Sequence, residues 1–441
     1  MPVTHQTPDT HHRYRNLGQR ITLSLRDYVR TVRMFSRNAR LFLAGSCLMA
    51  INFHVFMLFL TLFLKELGYV EGDIGMVNSS RSVGMTLMAI PAAILISKIR
   101  LKPILAAAAI AFAAFSIGLL NAGSLNEMIF FGIFSGAAFA IYRVSTGPFF
   151  MRNSTPVERT HLFSFSFAVW IFAGMLGSII FGELVIWFGE LADDVVLGYK
   201  YALMGGIALS LFALIPIGFI KAAKPSGDER RIAVSKAQLK ERWPFYTKIF
   251  SVNFLVGMGA GLSIPFLNLY FRNRFGLNAD TIGSYYFFVM GSMFIGTLAG
   301  PLLARRFGLV RTVVFTQLAS MPFMVLLAHS FFLPASLTAY IIRGGLMNIG
   351  VPIVTNLAME LSDDKEHGLV GALLMLSWTS SWMVSTAIGG ELIERFGFTI
   401  TINVSVILYL ISTIIFYWFF GRVEKRSVGS PGWHIPEGTR V

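Results

Sequence analysis

The stretch WIFAGMLGSIIFGELVIWFG at Trp170–Gly189 returns as WTSSWMVSTAIGGELIERFG at Trp378–Gly397. The offset is 208 residues without a gap, and eight of the twenty aligned positions are identical. Both copies are apolar and long enough to cross a bilayer. One offset that holds over a long range indicates duplication, and internal repeats are typical of membrane transporters. The same offset aligns further pairs: Gly68 with Gly276, Ile74-Gly75 with Ile282-Gly283, Met85 with Met293, Leu95 with Leu303 and Glu158 with Glu366.

The composition is that of a membrane protein. The 441 residues are 55% hydrophobic and only 14% charged, which is too few charges for a soluble chain of this length. The net charge of +14 would suit a nucleic-acid partner. Basic residues also collect on the cytoplasmic side of membrane proteins, and this second interpretation is favoured, so no nucleic-acid partner is expected. The single cysteine, Cys47, excludes an intramolecular disulfide.

The apolar segments predict an all-α integral membrane protein with twelve transmembrane helices in two pseudo-symmetric six-helix bundles. None of the segments shows the short alternating pattern of a membrane β-barrel. The predicted spans are 41–64, 74–97, 103–122, 127–149, 161–188, 200–220, 247–271, 281–304, 311–331, 336–359, 368–393 and 399–420.

Lysine and arginine predict the orientation. With a cytoplasmic N-terminus, cytoplasmic segments hold 29 of the 37 basic residues and outer loops hold five. We therefore predict a multi-pass protein of the cell membrane (the cell inner membrane) with both termini cytoplasmic. The predicted divisions are a basic amphipathic N-terminal segment (1–40), an N-terminal bundle (41–220), a cytoplasmic linker (221–246), a C-terminal bundle (247–420) and a cytoplasmic tail (421–441).

The segment Gln19–Arg40 carries an apolar stripe and a basic stripe at helical spacing. This pattern predicts a helix lying on an anionic lipid surface. The alternative is a basic arm that only sets the topology. The apolar stripe is Ile21, Leu25, Tyr28, Val32 and Phe35, and the basic stripe is Arg26, Arg30, Arg33, Arg37 and Arg40.

The loop after span eight, Pro301–Arg311, reads PLLARRFGLVR. It resembles the cytoplasmic motif GxLaDRxGRR of the major facilitator superfamily at Arg306, Gly308 and Arg311, while Arg305 stands at the position of the motif's aspartate. The resemblance implies two six-helix bundles that rock around a central cavity. It also implies that spans one, four, seven and ten line this cavity. The substrate implied by the resemblance is a small molecule.

Charged and polar residues inside the spans are the candidate site, because charges in a membrane are costly and mark substrate or ion pathways. The alternatives are structural pairs for the arginines, a packing role for the histidine, and helix capping or exposure to outer water for the glutamates. The candidates for substrate binding are Arg343, Arg143, His54, Asn52 and Asn348, and those for coupling or gating are Glu183, Glu391 and Arg81.

The leading functional hypothesis is a secondary active transporter that works by alternating access, most readily by efflux of an amphipathic or anionic compound. The alternatives are an uptake porter for an organic anion and a non-transporting membrane receptor on the same fold. We expect a monomer that contacts membrane lipid, with a proton or ion as a coupling partner and with neither cofactor nor metal. The motifs H-E-x-x-H, G-x-S-x-G and G-x-x-x-x-G-K-[ST] are absent from the sequence, so we expect no enzyme and no ATP-driven pump.

The predicted topology is tested by labelling single cysteines in a Cys47→Ser background. A membrane-impermeant maleimide should label a cysteine at position 193 from outside the cell. Cysteines at positions 230 and 430 should be labelled only after the membrane is opened. Outside labelling at position 230 would contradict the twelve-span topology.

Overall fold

The computed structural model describes residues 35–154, 156–221, 240–363 and 366–427, and its side chains are described except at 156–161 and 423–427. Most of the predicted N-terminal segment, linker and tail, and the side chain of Glu158, therefore lie outside the described residues. The described ranges consist of helices joined by short loops.

The first half of the chain contains six helical segments that cross the bilayer width. They are α1 (Arg37–Glu66), α2 (Glu71–Lys98), α3 (Leu101–Asn121), α4 (Leu125–Asn153), α5 (Pro156–Ala192), and α6 (Val195–Phe212) continued by the short α7 (Leu214–Phe219). Ser36, Ser124 and Asp194 cap the starts of α1, α4 and α6 by accepting backbone N–H groups, which satisfies donors that a helix start leaves free.

The second half repeats this order. It contains α8 (Trp243–Ser263) joined through a 3₁₀ turn (Ile264–Phe266) to α9 (Leu267–Phe275), then α10 (Ala279–Phe307), α11 (Leu309–His329), α12 (Leu333–Glu360) and α13 (His367–Ser427). Gly397 has φ 81° and breaks α13, so its residues 367–396 and 398–427 form two helices. In the described ranges eleven helices are long and apolar enough to span a membrane, and the last of them covers 56 residues. Because Gly397 divides this last helix, the count is consistent with twelve crossings.

Two helix pairs join the halves, namely α2 with the first part of α13, and α5 with α10. Within the first half, α1 packs on α5 and α6, and α4 packs on α2 and α3. Within the second half, α12 packs on α10 and α11, and α13 packs on α8 and α11. The two inter-half contacts are related by the sequence repeat, since α5 and the first part of α13 carry its two copies.

Each inter-half contact is a crossing of two glycines. A Cβ on Gly75 would lie 2.6 Å from the carbonyl oxygen of Thr386 and 3.0 Å from Cα of Gly390. At the other crossing a Cβ on Gly283 would collide with the carbonyl oxygen of Ser178, and Cα of Gly182 lies 3.4 Å from that Cβ position. The offset of 208 relates Gly75 to Gly283 and Gly182 to Gly390, so the duplicated residues make equivalent contacts.

These crossings lie at the end of the molecule that carries the α1–α2 loop, which we call the sealed end; the opposite end, near Ser36 and Lys221, is the terminal end. One hydrophobic cluster at the sealed end includes buried residues of both halves, such as Phe59 and Phe266. At the terminal end the two main clusters each belong to one half, one around Phe42 and one around Phe416. The described core is therefore continuous at one end and divided at the other.

A methyl group at a glycine crossing should open the sealed end. We expect Gly283→Ala to cost about 1–3 kcal/mol in the sealed state through overpacking. Such a cost would raise the open fraction by about 5- to 150-fold. The measurement is the rate at which a water-soluble maleimide labels Leu58→Cys, a buried position, in a Cys47→Ser background. Gly218→Ala is the matched control because no heavy atom lies within 4 Å of its Cβ position. Equal labelling rates in both variants would contradict the role of the crossing.

Candidate functional site

Arg143 is the span arginine that the structure leaves accessible. It lies ten residues before the end of α4, about 15 Å from the terminal end at the helical rise. Its side chain is exposed, and its guanidinium carbon lies 4.3 Å from the centre of the Trp170 ring on α5. The described residues provide it with no hydrogen bond or carboxylate. An exposed cation at this depth requires water or a ligand rather than lipid, so this side of α4 faces the space between the halves.

Three helices contribute to the surroundings of Arg143. Tyr142, which is buried, forms a hydrogen bond with Ser46 of α1 over 3.2 Å, and this bond fixes the turn of α4 that carries Arg143. A small cavity of about 10 Å³ adjoins the guanidinium, with room for one water or one ligand oxygen. The cavity is lined by Ser46, Met49, Phe139, Tyr142, Arg143, Thr146, Ser166, Val169 and Trp170.

His54 belongs to the same cluster. Its ring centre lies 4.9 Å from that of Trp170, and the side chain is 6% exposed. Neither ring nitrogen has a hydrogen-bond partner among the described residues, although the backbone of Trp170 is close to the ring. The ring lies flat over Gly174, where an added Cβ would be 3.1 Å from three ring atoms. The structure therefore brings two of the predicted substrate-binding residues together around Trp170, which the sequence-based prediction had not included in the site.

The other predicted substrate-binding residues lie elsewhere. Asn52 is fully buried with an unpartnered amide, and it faces α6, where its Oδ1 lies 3.1 Å from the Cβ position of Gly206. Asn348 donates to the carbonyl oxygen of Gly344, one turn earlier in α12, over 2.9 Å. Neither residue contacts the cluster around Trp170.

Arg343, a predicted substrate-binding residue, is buried in the second bundle in this conformation. It is 7% exposed, and its Nη2 donates a 2.6 Å hydrogen bond to the hydroxyl of Tyr409 in the last helix. Its guanidinium carbon also lies 5.3 Å from the centre of the Tyr409 ring. The acceptor that a buried arginine needs is thus a tyrosine of the same bundle, so in this conformation Arg343 is a packing residue.

Arg81 and the two glutamates lie near the contact between the halves. Arg81 is nearly buried, and its guanidinium lies 5.8 Å and 5.4 Å from the rings of Phe53 and Phe56. Glu183 and Glu391 are exposed next to the glycine crossings, in positions related by the repeat, and Glu391 pairs with Arg395 of its own helix.

Polar contacts that the sequence did not reveal lock the sealed end. Arg272 of α9 pairs with Glu66 of α1 and donates to the hydroxyl of Tyr199 over 3.1 Å. Glu394 accepts the backbone N–H of Gly72 over 3.0 Å. Further hydrogen bonds join the halves from the sealed end to the level of Ser79, whose hydroxyl donates to the carbonyl oxygen of Met383.

The loop motif lies at the terminal end, as expected from its likeness to a cytoplasmic loop. Gly308 has φ 90° and ends α10, and this backbone conformation favours glycine. Arg306 lies in the last turn of α10, where a cation complements the helix dipole. Arg311 lies in the first turn of α11. In the part of the chain that the structure describes, no group of three or more His, Cys, Asp or Glu residues is arranged to hold a metal ion.

Two helical bundles joined at one end, with an accessible arginine at membrane depth, are typical of a helical membrane transporter. The sequence profile of the Major Facilitator Superfamily matches residues 41–361 and, in a second match, residues 249–435. The chain belongs to the Major Facilitator Superfamily. No curated protein matches it in sequence.

Several solved structures share the fold at low sequence identity. A bacterial homologue of the human lysosomal transporter Spinster, in an inward-facing and occupied conformation, has a TM-score of 0.75 at 13% identity, covering 87% of this chain and 96% of the other. A D-xylose–proton symporter has a TM-score of 0.71 at 13% identity, with 89% and 98% covered. The human organic anion transporter MFSD10 (TETRAN) has a TM-score of 0.60 at 16% identity, with 86% and 99% covered.

Removing the partner of Arg343 should destabilise the second bundle. We expect Tyr409→Phe to lower the free energy of unfolding by about 1.5–3 kcal/mol, because a buried charged donor loses its acceptor. Denaturant titration in detergent measures this change. Tyr417→Phe, at a half-exposed tyrosine of the same helix, is the control and should change stability by less than about 0.5 kcal/mol. Equal stability of the two variants would show that Arg343 does not depend on Tyr409.

Proposed function

We propose that the protein is a secondary active transporter that moves an aromatic or otherwise amphipathic anion by alternating access. The observation that carries this proposal is the exposed guanidinium of Arg143 at membrane depth, which has no acceptor among the described residues. A guanidinium in such a place binds a carboxylate, sulfonate or phosphate well, because its planar fork donates two parallel hydrogen bonds.

The aromatic surroundings support an anion that carries a flat apolar body. Trp170 covers one side of Arg143, and Phe139 and Tyr142 belong to the same cavity wall. Aromatic rings add dispersion and stacking energy without requiring a second charge. The small cavity accepts one oxygen of the anionic group, and the ring of the ligand would then lie against the exposed faces of Arg143 and Trp170.

The close contact between the halves at the sealed end supports the proposed alternating access. The bundles 41–220 and 247–420 would rock about the glycine crossings, and Glu183 and Glu391 would serve as gate residues beside them. The positive-inside distribution favours a sealed end that faces the outside and termini that face the cytoplasm. In this state an anion would enter from the cytoplasm.

Efflux and uptake are distinct proposals for the direction of transport, and flux with and without a pH gradient separates them. The chain resembles in fold a protein described as an organic anion transporter. A receptor on the same fold would bind the anion without moving it, and flux into sealed vesicles separates these possibilities.

Replacing Arg143 should remove anion binding. With 2-naphthalenesulfonate as the probe, we expect Arg143→Gln to weaken binding by about 10- to 100-fold, since a charged hydrogen bond is worth about 1.5–3 kcal/mol. Arg143→Lys should bind with intermediate affinity because it keeps the charge but loses the fork. Calorimetry on detergent-purified protein measures binding, and flux into proteoliposomes with and without a pH gradient measures transport.

Arg395→Gln is the matched control because it removes an exposed arginine at the sealed end. The trimethylammonium analogue of the same naphthalene ring should not bind. Equal binding of the cation and the sulfonate, or unchanged affinity in Arg143→Gln, would overturn the proposal.

A further inference from the structure

We propose that His54 takes up a proton when an anion binds at Arg143, so that the site loads one proton and one anion together. This inference rests on the proposed function of Arg143 as the anion site. It assigns the coupling partner to a proton and the coupling residue to the histidine of α1.

The side chains of Arg143 and His54 both contact the ring of Trp170. Arg143 lies 4.3 Å and His54 lies 4.9 Å from the centre of the Trp170 ring. Both nitrogens of His54 are buried without a hydrogen-bond partner in the described part of the chain, an arrangement that costs free energy unless a ligand, water or proton satisfies it. Gly174 leaves the space that the imidazole occupies.

His54 is the group in this cluster whose ordinary pKa lies closest to neutral pH. The phenol of Tyr142 and the guanidinium of Arg143 ordinarily titrate several pH units higher. The described carboxylates of α1, α2, α4, α5 and α6 lie at or near the sealed end, as Glu66, Glu71, Glu127 and Glu183 do, rather than at the depth of His54.

The charges that face His54 are positive. Arg143 of α4 contacts the same Trp170 ring as His54, and Arg81 of α2 lies over Phe53 and Phe56, which precede and follow His54 in α1. From α5, Trp170 and Gly174 pack against the His54 ring, and Lys200 of α6 and Glu183 of α5 lie near the sealed end. A proton on His54 therefore meets the positive charge of Arg143 when the site is empty.

A bound anion would change the charge around His54 from positive toward neutral. Its negative charge next to Arg143 supplies the counter-charge that imidazolium lacks, and the low dielectric of the site strengthens the effect. Because linkage is reciprocal, protonation of His54 strengthens anion binding by the same factor. The proton moves from solvent to a ring nitrogen on binding and returns to solvent when the anion leaves. One proton with one monovalent anion is electroneutral, so membrane potential should not drive the loaded step.

Proton uptake on binding tests the inference directly. Adding 2-naphthalenesulfonate to purified protein in unbuffered salt solution, and following pH with an electrode, counts protons taken up per anion bound. The sulfonate itself does not titrate near neutral pH. We expect the wild-type protein to take up a measurable amount, at most one proton, per anion bound, and the uptake should increase as the starting pH is lowered. Its affinity should rise as the pH falls through the pKa that His54 has in the anion-loaded site, by up to about tenfold per pH unit.

His54→Gln should bind the sulfonate without proton uptake and with an affinity that does not depend on pH. If His54→Gln does not fold, His54→Asn replaces it in the same measurement. His329→Gln is the matched control, since it removes a histidine that bonds Asn403 at the sealed end of α11, and it should behave as the wild type.

The outcomes separate the two proposals. Wild-type binding that releases or ignores protons, or proton uptake that persists in the His54 variants, overturns the coupling and leaves the anion site intact. Absence of sulfonate binding by the wild-type protein overturns the proposed function together with the coupling that rests on it.

Discussion

The closeness of the helices at the two glycine crossings is the constraint on which the rest of the structure depends. Lipid gives apolar helices no hydrophobic reason to associate, so close backbone packing between small residues is one of the forces that can hold two bundles together in a membrane. At Gly75 with Gly390, and at Gly182 with Gly283, the approach is so close that a single methyl group would meet backbone atoms. These backbone contacts need no interlocking side chains, but the cluster around them, which includes Phe59 and Phe266, must also part when the halves separate.

The second constraint is the free-energy cost of placing a cation in the membrane. The three arginines inside the spans, Arg81, Arg143 and Arg343, reduce this cost in different ways. Arg81 is covered by two phenylalanine rings, and Arg343 is buried against Tyr409. Arg143 has an aromatic ring on one side and accessible space on the other. A cation that is already satisfied gains little from a ligand, whereas one that is covered only on one side gains a full charged hydrogen bond. This difference, rather than depth alone, distinguishes the candidate site from packing.

The sequence predicted the spans and the repeat because both depend on local composition and on spacing along the chain. It also identified the crossing glycines as repeat partners before their contacts were known. It could not predict the rotation of each helix. Asn52 and His54 are two residues apart, which is about 200° around a helix, and they face α6 and α5 respectively. The sequence could not reveal that Tyr409 accepts a hydrogen bond from Arg343, because the position of Tyr409 beside it depends on tertiary packing.

The two halves carry the same residues at the glycine crossings of the sealed end but different residues at the ionisable positions of the candidate site. The offset of 208 relates Arg143 to Val351 and His54 to Leu262, so the second bundle has no counterpart of either ionisable group. Its counterpart of Trp170 is Trp378, a partly exposed ring. A charge pair divided between the halves would have to be pulled apart each time they rock, at a cost of several kcal/mol in a low-dielectric medium. With the ionisable groups of the site in one bundle, the other bundle needs to offer only an apolar surface there. The halves can then close over an anion without forming a charge pair at the site, so the pair that rocking must separate is the one at the sealed end, Arg272 with Glu66.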